Sequence, residues 1–130
     1  MLKKYSLLIS IIYSIVLAAL SLFKINTVTQ ELPSNSDKLF HALAYLIFTL
    51  LWFLAFFFNK KLSKVKALSY AFLCSVCFGI AIEVLQGLIT VNRQCDVNDV
   101  IANVIGTIIA AIIILSLKKE VLKNNNTLLF

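Results

Sequence analysis

Three short stretches of the chain hold side chains able to do chemistry, each at helical spacing. Asp37, His41 and Tyr45 follow i, i+4, i+8. Glu83 and Gln86 continue a line that begins at Gly79 and ends at Thr90, and Asp96, Asp99 and Asn103 lead to Gly106 along a similar stripe. A carboxylate such as Glu83 or Asp99 can serve as a general base, and His41 or Tyr45 can deliver a proton. Lys38 and Arg93 stand beside these groups. An arginine in particular holds a phosphate or carboxylate through two hydrogen bonds. His41, Glu83, Asp96 and Asp99 are also donor types that suit divalent ions. However, no compact ligand motif such as HExxH is present, so the acids are read as partners of Arg93 and Lys38, with no metal and no cofactor expected.

The surroundings of these residues decide what positions them. The chain has 130 residues, 61% hydrophobic and only 14% charged, with a mean hydropathy of +0.95. A soluble domain carries about 25% charged residues. Four stretches, residues 5–23, 39–58, 67–90 and 97–117, approach the ~20 residues that cross ~30 Å of hydrocarbon. None alternates polar with apolar as a barrel strand does. The expected fold is all-α: a polytopic bundle of four transmembrane helices forming one domain over residues 1–130, with 118–130 a polar tail. Lys3 and Lys4 before an apolar run with Ala18 and Ala19 also resemble a leader peptide. The run continues through Leu20, Leu22 and Phe23, so it is read as a retained span.

The net charge of +6 and pI near 9.4 do not indicate nucleic acid, because the basic residues lie between apolar spans rather than on a solvated stripe. They carry a topology signal instead. Lys3, Lys4, Lys60, Lys61, Lys64, Lys66, Lys118, Lys119 and Lys123 lie at the termini and in the second loop, against Lys24, Lys38 and Arg93 in the other two connections. The positive-inside rule then puts both termini and the 59–66 loop of a cell-membrane protein in the cytoplasm. All the acids except Glu120 fall toward the opposite, outer side.

At ~1.5 Å of rise per residue, the stripes reach matching depths. Asp37, Lys38, Arg93 and Asp96 form a rim; His41, Gln86 and Asp99 lie below; Tyr45, Glu83 and Asn103 lie deepest. A carboxylate facing lipid costs at least ~2.5 kcal/mol, so Glu83 should turn into the bundle. Gly79 and Gly106, with Ala102 and Ala110, offer small surfaces for close helix approach. Ser36 or Asp37, and Asp96, are also natural helix N-caps. Cys74 and Cys77 read as packing residues inside a span, and Trp52 with the following phenylalanines as lipid-facing bulk.

These residues resemble a known pattern. "SDKLFHALAYLIFTLL" and "GIAIEVLQGLITVNRQCDVNDVIANVIGTIIAAII" are similar to the VanZ-like family of bacterial membrane proteins. That pattern has Asp-Lys, then His and Tyr on one helix, Glu and Gln on the next, and Arg, Asp-x-x-Asp and Asn-x-x-Gly leading into the last. They fall here on Asp37, Lys38, His41, Tyr45, Glu83, Gln86, Arg93, Asp96, Asp99, Asn103 and Gly106. The resemblance implies an envelope role, with tolerance to teicoplanin-type glycopeptide antibiotics in founding members, and supplies no reaction.

Two functions follow as expectations. In the first, the outward pocket binds or acts on a membrane lipid headgroup or a lipid-linked cell-wall precursor. In the second, the chain is a non-enzymatic subunit, partnering another membrane protein or its own copies. A small ion or proton path fits less well, because the inner halves of the spans are almost wholly apolar.

Overall fold

The computed structural model describes residues 2–23, 34–89, 95–118 and 120–122. Long apolar runs without interior proline satisfy every mid-helix backbone group internally, as hydrocarbon demands. They form α1 (Leu2–Leu22), α2 (Ser34–Leu54) with a π-helical continuation (Ala55–Asn59), α3 (Lys64–Ile89) and α4 (Val97–Ser116). Each is long and apolar enough to cross a bilayer. α2 begins earlier than the apolar run alone suggests, so Asp37 lies in its first turn rather than at its cap.

Cross-helix contacts fix the directions. Gly79 meets Tyr45, and Asn103 meets both Gly79 and His41. α2 and α4 therefore run together, while α3 runs against both. α1 runs against α2, because its start bonds to the end of the π-turn: Ser6 Oγ donates to Asn59 Oδ1, and the Leu7 amide donates to the same oxygen at 3.1 Å. The wide turn ends at Lys61, whose φ of 52° is left-handed, while the Leu62 amide reaches back to the Phe56 carbonyl. This closure resembles the left-handed helix ends usually made with glycine.

A row of serines docks α1. Ser10 and Ser14 donate to the carbonyls one turn back at 2.7 Å, which lets hydroxyls enter an apolar helix without stranded protons. Ser14 Oγ also accepts from the Trp52 indole at 3.1 Å, and the Tyr13 hydroxyl donates to the Ala44 carbonyl at 2.9 Å. This corrects the lipid-facing reading of Trp52 and its neighbours. Trp52 is half-buried and hydrogen-bonded, Phe53 is buried in a cluster with Ala67, Ala71, Ile114 and Leu122, and Phe56 and Trp52 pack against that cluster. Cys77, by contrast, is exposed rather than packed.

The tightest joint is between α2 and α4. A Cβ built on Gly106 would overlap the Ala42 carbonyl oxygen and lie 2.8 Å from its carbon. Backbone cannot retreat as a side-chain tip can. At Gly79 a Cβ would sit 3.1 Å from Tyr45 Cε1 and 3.3 Å from Asn103 Nδ2, a tight fit against side chains only. Gly106→Ala should therefore destabilise the bundle by about 2 kcal/mol or more, and Gly79→Ala by roughly 1 kcal/mol, on the scale of overpacked cores. Reversible unfolding in mixed micelles checks the order, and equal costs would contradict the close approach described here.

Candidate functional site

The polar residues converge at the end of the bundle where α2 and α4 begin and α3 finishes. Two helix starts there favour carboxylates, through the dipole and the unsatisfied amides of a first turn. Asp37 and Asp99 occupy these first turns. His41, one turn below Asp37, points Nε2 between the two acids, 3.9 Å from Asp37 Oδ1 and 3.8 Å from Asp99 Oδ2. The Asp37 side chain is 51% exposed, His41 14% and Asp99 8%, so the trio forms a step from surface to interior.

The other imidazole nitrogen is held from below. His41 Nδ1 lies 3.1 Å from Asn103 Oδ1. An amide oxygen only accepts, so Nδ1 carries a proton and Nε2 is the nitrogen that faces the carboxylates. Asn103 and His41 thus meet directly, although counting inward along separate helices puts them in different layers.

Tyr45, Glu83 and Asn103 lie beneath, all buried. The Tyr45 ring stacks on Phe48 at 5.8 Å and faces Phe78 at 6.3 Å. Tyr45 and Glu83 are close enough to interact electrostatically. Among the described residues, the Tyr45 hydroxyl and Asn103 Nδ2 have no hydrogen-bond partner. Buried donors left so are costly, and two in one layer give it capacity for an additional acceptor.

One turn deeper lies a feature that sequence reading missed. Thr49, Ser75 and Thr107 are fully buried and join α2, α3 and α4 through contacts of 3.0 Å and 2.8 Å. Thr49 Oγ1 also donates to the Tyr45 carbonyl at 2.7 Å and Thr107 Oγ1 to the Asn103 carbonyl at 3.0 Å, so both ends of the hydroxyl row are tied to backbone. The signal was present. Positions 49, 75 and 107 extend the three stripes by one more turn. Below them the cluster around Phe53 and Ile114 closes the column with apolar side chains.

Other candidate residues have contacts or placements of their own. Gln86 is buried, but its Nε2 donates to the Ser21 carbonyl at 2.7 Å, satisfying one of the orphan carbonyls at the end of α1. Asp96 is the N-cap of α4, accepting from the Asn98 amide at 2.9 Å. Lys38 is exposed beside Asp37. Arg93 and Thr90 lie outside the described residues.

The arrangement can hold a proton or a cation among three acceptors at its mouth and a polar group beside Tyr45 below. The motif spacing that carries it also carries a family match. The VanZ/LLP1 family profile fits residues 8–119, which take in most of α1, all of α2, α3 and α4, and every candidate site residue. No curated protein and no solved structure matches the chain. On the family match, which covers most of its length, the chain belongs to the VanZ/LLP1 family.

Proposed function

We propose that this multi-pass protein works in the cell membrane with the Asp37 end outward and both termini in the cytoplasm. There it binds the headgroup of a membrane lipid or of a lipid-linked cell-wall precursor. The observation that carries this reading is the one-sidedness of the polar column. It opens among Asp37, His41 and Asp99, descends past Tyr45, Glu83 and Asn103, and stops at the apolar cluster of Phe53 and Ile114. A conduit for ions needs polar lining through both halves of the membrane, and this closure argues against one.

In this reading Lys38 and Arg93 draw an anionic phosphate or carboxylate to the rim. Below, Glu83 or Asp99 can accept a proton and His41 or Tyr45 can supply one if the bound headgroup is turned over. Gln86 and Asp96 support the mouth through α1 and the α4 cap. The cellular consequence proposed is tolerance to teicoplanin-type glycopeptides. The alternative, a membrane subunit without a ligand of its own, gives no account of buried donors and acids meeting on three helices.

Two experiments test the reading. Reporters fused after Gln30, Leu62, Gln94 and Lys123 should report the Gln30 and Gln94 positions outside and the Leu62 and Lys123 positions inside; the reverse pattern would remove the envelope assignment. In a Gram-positive host, Glu83→Gln should reduce teicoplanin protection to that of the empty vector while membrane abundance and melting temperature hold. Protection retained, or a variant that fails to accumulate, would make Glu83 dispensable or architectural.

A further inference from the structure

We infer that the mouth of the column is a binding site for a divalent first-row transition ion, ligated by Asp37, His41 and Asp99. One oxygen of each acid and the imidazole Nε2 all lie within 4.8 Å of one another. With Nδ1 donating to Asn103 Oδ1, it is Nε2 of the neutral imidazole that is left to ligate an ion together with one oxygen of each acid.

Distances separate an ion from a proton. At 3.8 and 3.9 Å, Nε2 is too far from either carboxylate for an N–H···O hydrogen bond, which spans ~2.7 to 3.2 Å. An ion ~2.2 Å from Nε2 and from either carboxylate oxygen fits these two separations with a ligand–ion–ligand angle of ~120°, by the bond lengths of imidazole and carboxylate ligands. Two further features resemble a metal centre. The ligating histidine is oriented through its second nitrogen by a buried amide, the outer-shell device that fixes tautomer and ring plane in such sites. Also, three protein ligands leave coordination positions open, as catalytic sites require.

Imidazole with two carboxylates suits zinc, manganese or iron(II) better than calcium or magnesium, which favour oxygen alone. No short motif announces the site, because Asp37 and His41 come from the first two to three turns of α2 and Asp99 from the first turn of α4, far apart in the chain. An open position on the ion would accept an anionic oxygen from phosphate or carboxylate. That role rests on the headgroup reading above, whereas ion binding does not.

The test uses the full chain in detergent, stripped with EDTA, with Zn2+ titrated by calorimetry and Mn2+ by loss of the free-ion EPR signal. The expected result is one ion per chain. His41→Gln and Asp99→Asn should each weaken binding at least tenfold, and Asn103→Ala by ~10- to 100-fold as an outer-shell change. Glu120→Gln, at the opposite end, should bind as the wild type does. Circular dichroism and melting verify folding; if His41→Gln does not fold, Asp99→Asn and the more exposed Asp37→Asn decide. Absence of binding by either probe, or equal binding by wild type and ligand variants, would overturn the site and leave an imidazolium between carboxylates. Because no lipid is present and Glu83 is not a ligand, failure here is distinguishable from failure of the teicoplanin test.

Discussion

Hydrocarbon offers a polar side chain no partner, and this constraint organises the molecule. Asp, His, Glu, Asn and hydroxyl groups placed on three otherwise apolar helices must turn toward one another. The helices can approach closely enough only where glycine removes a side chain. Gly106 against the Ala42 carbonyl brings α4 onto α2, and that approach sets Asn103 beneath His41. Individual bonds of this kind contribute well under ~1 kcal/mol on average in membranes. Their effect is to select one register among many that apolar packing alone would tolerate.

The column they build is graded. At its mouth, acids stand at two helix starts; in the middle, Tyr45 and Asn103 keep donors in a closed space; below, three hydroxyls link the helices and bond back to two backbone carbonyls. Apolar packing ends the series. On the outside of the bundle, exposed Ile15, Leu20, Leu73, Leu88, Ile112 and Leu115 present the surface that lipid covers.

Much of this design was legible in the sequence, for reasons that also mark where reading failed. The i, i+4 recurrence of Asp37, His41 and Tyr45, matched by Glu83 and Asn103 on other helices, defines inward faces because an acid or imidazole in a span has few alternatives. Serine and threonine carry no such information. They can satisfy themselves on the carbonyl one turn back, so Thr49, Ser75 and Thr107 look like ordinary residues until three helices superimpose them. Aromatic residues are ambiguous for a similar reason: Phe53 and Trp52 are equally suited to lipid and to a core, and only the serine face of α1 and the π-turn at Asn59 decide between them. Gln86 shows the limit of depth counting. Its height is right, but its Nε2 is taken up by the Ser21 carbonyl at the end of α1.

The orientation of the one histidine in the chain is the most direct measure of the account, since no other imidazole can confuse the signal. Nitrogen-15 NMR of the neutral His41 ring should find the proton on Nδ1 and none on Nε2, with that preference lost in Asn103→Ala. A proton on Nε2, or a tautomer mixture that Asn103→Ala leaves unchanged, would mean that α4 does not hold the ring and that the polar stripes do not meet as described.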